Sequence, residues 1–134
     1  MTASVELVEE LARRFSAGDR EGAFALLHPG LRIEQPASLP HGGVHQGTEG
    51  MAAMGATFAR YWDREIRDPR ILGCGETVVQ VTTQTWTAKE TRRSATVDVV
   101  ELFAFADGRI SEIRVFQQDT HLLLATLGLQ VPAS

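Results

Sequence analysis

The chain has 134 residues, 43% hydrophobic and 22% charged, proportions that fit one folded domain over 1–134 and exclude a disordered or collagen-like chain. Thirteen Lys and Arg against 17 Asp and Glu leave a formal net charge of −4. With no basic cluster longer than a pair, nucleic acid is not an expected partner. The single Cys74 forms neither an intrachain disulfide nor a multi-cysteine metal centre. The acidic start MTASVELVEE lacks the apolar core of a signal peptide, and no apolar run reaches the ~20 residues of a membrane span, so a cytoplasmic protein without a membrane partner is expected.

In chain order, Val5, Val8, Leu11, Ala12 and Phe15 recur at helical spacing and predict a first amphipathic helix ending at Ala17-Gly18. Asp19 caps a second helix through Ala23, Phe24, Leu26 and Leu27, which His28-Pro29-Gly30 ends. Residues 31–35 alternate as a short strand up to Pro36. Residues 36–47, with two prolines and three glycines, predict a loop. Thr48 caps a third helix bearing Met51, Met54, Phe58 and Tyr61/Trp62, and Asp68-Pro69 breaks the chain. Residues 70–73, 77–88, 94–106 and 109–117 are rich in β-branched types and predict strands, with Asp107-Gly108 as a hairpin turn. Asp119-Thr120 caps a short apolar tail over 121–129. The order predicts an α+β fold: a cone-shaped curved antiparallel sheet with three helices covering its concave face. Both faces of the last strands carry apolar residues, so a homodimer through the outer face is expected.

Several segments carry a family likeness: Ser16-Ala-Gly-Asp19, Ile33-Glu-Gln-Pro36, His41-Gly-Gly43, Val100-Glu-Leu-Phe-Ala-Phe105, Asp107-Gly-Arg-Ile110 and Phe116-Gln-Gln-Asp119. With this element order, the chain resembles the nuclear transport factor 2-like superfamily, in its SnoaL-like and ketosteroid-isomerase-like branch. The resemblance implies the fold closely and the reaction loosely, since one fold hosts many chemistries. Of the isomerase groups, the tyrosine position falls on Leu11, the base on Gln35 and the acid on Glu101. A neutral amide takes no proton from carbon, which argues against steroid isomerisation by that route. The epoxide hydrolases of the superfamily need an arginine inside the middle strands, where 79–87 carry none. The SnoaL-like cyclases use an aspartate at the end of the last strand, and Asp119 matches that place.

Alternation sorts the candidate side chains. Ile113, Val115 and Gln117 share a parity, and so do Glu101, Phe103 and Phe105. A two-residue Asp-Gly loop pairs Glu101 with Arg114 and turns it outward. A three-residue loop pairs it with Ile113 and buries it, which raises its pKa. Asp119 is either an acid/base or the N-cap of the tail. Gln35 shares parity with Ile33: inward it orients a ligand carbonyl, outward it is an ordinary strand-end polar group. His41 and His45 border the cavity mouth, with His41 as a proton carrier or a plain surface residue. Trp86, among polar strand neighbours, is either a half-wet cavity wall or an interface aromatic. Tyr61 is the one phenol available as a donor, and Phe103, Val115 and Gln117 complete the lining. His28 and His121 are helix-end residues, and Cys74 is inert. No metal and no cofactor is expected.

Two functions follow. One is an acid/base enzyme (isomerase, cyclase or dehydratase) that forms an enolate from an apolar, polyketide-like or steroid-like carbonyl compound, with Asp119, Glu101 and His41 as its catalytic groups. The other is a non-catalytic small-ligand binder or assembly protein of the same fold.

Overall fold

A computed structural model describes residues 2–128. Its elements are α1 (Thr2–Ser16), α2 (Arg20–Phe24), β1 (Leu27–Gln35), β2 (Gly43–Gln46), α3 (Gly47–Tyr61), β3 (Trp62–Cys74), β4 (Thr77–Ala88), β5 (Ser94–Ala106), β6 (Arg109–Gln117) and α4 (Thr120–Ala125). Leu129, the end of the expected tail, lies outside the described residues. The strands form one curved, unclosed six-stranded sheet in the order β2-β1-β6-β5-β4-β3. All neighbours are antiparallel except β1 and β6, which run parallel. This is the α+β fold the element order implies.

Local chemistry explains the boundaries. Gly18 sits at φ +76, the left-handed cap that ends α1, and Asp19 accepts from the Gly22 amide at 2.9 Å to start α2. Three boundaries differ from the sequence reading. Helix α2 stops at Phe24, and β1 starts at Leu27 because Ile110 donates its amide to the Leu26 carbonyl at 3.0 Å and draws the chain into the sheet. The glycine-rich loop contains the edge strand β2, held by pairing with β1 rather than by propensity. Helix α3 ends at Tyr61, and Trp62 already pairs with Ala88, so β3 runs 13 residues. Asp68-Pro69 is a bulge inside β3, with Asp68 at φ 52, and not a break between elements.

On β4 every second residue from Val78 to Ala88 is buried. Register carries that parity across the concave face: Val78 lies opposite Phe103, Gln80 opposite Glu101, Thr82 opposite Val99, and Trp86 opposite Ala95. On the far side Glu101 lies opposite Val115 and Phe103 opposite Ile113. Neither hairpin alternative gives that pairing. The turn is the two-residue Asp107-Gly108 loop, with both residues at positive φ. A bulge on β6 between Ile110 and Glu112 then adds one residue and restores the inward parity of Glu101.

Candidate functional site

The concave face divides into a packed end and a polar end. At the packed end four rings meet. Phe58 lies 4.8 Å from Trp86 and 5.5 Å from Trp62, and the two indoles are 5.0 Å apart, centroid to centroid. His41 fits edge-on to Phe58 at 5.3 Å. Trp62 and Trp86 are each 1% exposed and His41 only 4%. Both indole N–H groups are satisfied: Trp86 donates to Gln84 Oε1 at 2.9 Å, and Trp62 donates to Thr126 Oγ1 at 2.8 Å. Gln84 in turn donates to Thr82 Oγ1 at 2.9 Å.

Two expectations change here. Trp86 is neither a half-wet wall nor an interface aromatic but part of the buried core. His41 is neither a loop-surface residue nor a mouth residue. Burial first, then the charges of Arg64 and His45, pushes the His41 pKa from 6.5 down to about 4, so its imidazole is neutral near pH 7. Its Nδ1 is buried without a hydrogen-bond partner. Nearby, His45 Nε2 donates to the His41 carbonyl at 2.8 Å, which ties the loop to β2.

The polar end gathers Gln35, Gln80, Glu101 and Gln117. Gln117 donates to Gln35 Oε1 at 3.2 Å, its own Oε1 having no partner. Gln35 Nε2 reaches only the Met54 sulfur at 3.6 Å, a weak acceptor. Phe103 and Val115 are buried beside them. Glu101 is half-buried on this face. Desolvation raises its pKa, and the positive charge of Arg64 partly offsets the rise.

Arg64 is a residue that the sequence reading missed, because that reading carries the third helix through Trp62 and gives 63–67 no strand parity. As a β3 residue opposite Trp86 it projects onto the concave side. Its guanidinium carbon lies 4.6 Å from the Phe58 ring centroid. An arginine thus enters from the edge strand and not from the middle strands.

Of the other expected site residues, Asp119 lies off this face, and Tyr61 borders the ring cluster with its ring 6.0 Å from Trp62. Asp119 is exposed and accepts from the Leu122 amide at 2.9 Å as the N-cap of α4. It stands four residues past the Glu101 pairing on β6, about 13 Å along a strand. Tyr61 closes α3, half-buried, with the Arg60 guanidinium 5.7 Å from its ring centre. His28 lies in β1 and not at a helix end, 3.1 Å from Asp107; His121 is in the first turn of α4. Cys74 is free and exposed. Two shallow depressions, of about 430 and 280 Å3, flank α1, and neither includes Glu101. Among the described residues no three His, Cys, Asp or Glu side chains group as metal ligands, and no helix is long and apolar enough to cross a membrane.

A curved six-stranded sheet with helices packed against it is the architecture of the nuclear transport factor 2-like proteins. The chain belongs to that superfamily through its SnoaL-like domain, whose family model matches residues 8–113. The matched segment includes Glu101 and stops short of Asp119. Among solved structures, a nuclear transport factor 2-like protein of Burkholderia xenovorans is 23% identical, with 95% of this chain and 97% of that one covered and a TM-score of 0.85. TerC, co-crystallized with polyporic acid, is 20% identical over 95% and 99% of the two chains, with a TM-score of 0.83. A candidate SnoaL-like polyketide cyclase from a Jannaschia species is 20% identical over 97% and 94%, with a TM-score of 0.77. These likenesses show the fold. No curated protein matches the chain significantly.

Proposed function

We propose that the chain is a cofactor-independent acid/base enzyme that forms an enolate from an apolar, carbonyl-containing small molecule of polyketide-like or steroid-like character. The observation that carries this reading is Glu101, a carboxyl held on the concave face by its pairing with Gln80 and Val115, with its pKa raised by burial. A carboxylate whose proton affinity is raised by burial is a stronger base toward carbon, and once protonated it can return that proton. Gln35 supplies the second group. Its amide N–H is spent on a thioether, so a ligand carbonyl oxygen that displaced Met54 would gain a better acceptor contact there. Isomerisation, aldol cyclisation and dehydration share that enolate. Asp119 takes no part in this scheme, because its carboxylate is committed to the α4 cap.

The test is α-proton exchange in D2O, followed by NMR with a panel of cyclic ketones and β-diketones. Glu101→Gln is expected to slow exchange by about 100-fold. Equal rates for the two proteins would remove Glu101 from the mechanism. The second reading, a non-catalytic ligand binder, is favoured by the amide pair Gln35–Gln117, which cannot titrate. It predicts binding of the same ketones by wild type with no exchange. We propose also that the outer face of the sheet joins two copies of the chain.

A further inference from the structure

Of the 13 Lys and Arg side chains, six make ion pairs with carboxylates among the described residues. Arg13 and Arg14 share Glu10, Arg32 and Arg114 share Glu34, Arg67 meets Glu65, and Lys89 meets Asp63. These are surface pairs of the ordinary kind. Arg64 is different. It points to the concave side from β3, lies against the face of Phe58, and among the described residues makes no ion pair with any carboxylate. Arg64 is exposed, and desolvation by the neighbouring protein lowers its pKa. Glu101 feels the charge of Arg64, but the two make no ion pair, and desolvation raises the Glu101 pKa more than the arginine lowers it. His41, the other titratable group that senses Arg64, is neutral. The guanidinium therefore keeps its N–H donors and its charge without a carboxylate partner, with the Phe58 ring beneath it.

We infer that Arg64 is a specificity-determining residue for an anionic ligand: an apolar molecule carrying a carboxylate or an ionised enol or phenol, whose oxygens dock on the guanidinium at the mouth of the concave face. The inference rests on the reading of that face as a small-molecule site and names the class of molecule. A planar, delocalised cation already seated on Phe58 suits a flat oxyanion, whereas an unsubstituted ketone would leave it unpaired.

Two dyes with one skeleton separate the possibilities: neutral N-phenyl-1-naphthylamine, and 1-anilinonaphthalene-8-sulfonate, the same rings with a sulfonate. Binding is read by energy transfer from Trp62 and Trp86, which lie beside Arg64 in the fold. Arg64→Gln is expected to weaken the sulfonated dye about tenfold or more while the neutral dye changes less than about twofold. Arg64→Lys, which keeps the charge without the fork, is expected to fall between, and it serves if the Gln variant does not fold. Unchanged sulfonate affinity in both variants, with the neutral dye still bound, overturns the role of Arg64 and spares the site. Equal loss of both dyes in a folded variant also overturns it, since the residue would then shape the pocket and not read charge. If wild type binds neither dye, the small-molecule reading falls, and the inference falls with it.

Discussion

His41 illustrates how much one buried side chain sets at the residue scale. Its ring fills the space between Phe58 and the two indoles, and that placement holds it neutral down to about pH 4. The unfolded chain takes up a proton near 6.5 and the folded chain does not, so between these values the unfolded state binds more protons. Stability attributable to His41 is complete above pH 6.5 and is lost as pH falls toward 4, by about 3 kcal/mol in all. His41→Phe keeps a ring in the cluster and removes the titration, so urea melts from pH 7 to 4 should show a much flatter acid limb. Glu101 has the opposite sign. Its raised pKa makes the folded state the better proton binder above pH 4.5, so stability falls as pH rises through its titration. Glu101→Gln should accordingly raise the melting temperature at pH 8 and leave it unchanged near pH 4; a gain of equal size at both pH values would contradict the burial of this carboxyl. Asp119→Ala should cost about 1 kcal/mol as a lost cap and leave α-proton exchange untouched.

Elements decide which side chains become neighbours, and here the sequence was legible in parts. Alternation separates the two parities of 77–88 but leaves open which one faces inward, whereas Gln35 and Ile33 turn the same way as their shared parity implies. The facing of Glu101 was open, because it depends on the β6 bulge, and Ser111 carries no signature of a bulge. Trp62 reads as part of the third helix because Tyr61/Trp62 continue its apolar side, and 63–67 carry no strand pattern of their own. Pairing with β4 overrides that local pattern, and Arg64 was lost from view with it. As an edge strand, β3 carries Asp63, Arg64, Glu65 and Arg67 ahead of the Asp68-Pro69 bulge, the charges and kink that discourage pairing with another chain. The β4–β5 turn stores strain that can be measured. Arg92 sits at φ 64 while its amide bonds to the Ala88 carbonyl at 2.9 Å. Arg92→Gly should relieve the left-handed backbone and stabilise by up to about 1 kcal/mol, while Arg92→Val should destabilise by at least as much, both read from thermal melts.

For the whole molecule the open question is the outer face of the sheet. Its parity is the reverse of the site's: Val79 pairs with Leu102, Val81 with Val100, and Val100 with Phe116. Phe116 is 44% exposed and Leu72, opposite Val79 on β3, is 57% exposed. A face of valines and leucines bordered by Arg32, Glu34, Glu112 and Arg114 has the arrangement of an interface, apolar inside and charged at the rim. The border carries both signs, so two copies related by a twofold axis can oppose arginine to glutamate with no net repulsion at the contact. A second copy covering this face need bury only about 800 Å2 per partner to form a stable dimer. Light scattering behind size exclusion should therefore give twice the monomer mass at micromolar concentration. Leu102→Asp should give the monomer, because its charge would be trapped without a partner in the centre of the contact. The same variant should retain the neutral dye, since Leu102 and Glu101 point to opposite faces. A wild-type monomer at tens of micromolar would leave this apolar surface bare and end the proposal of a pair.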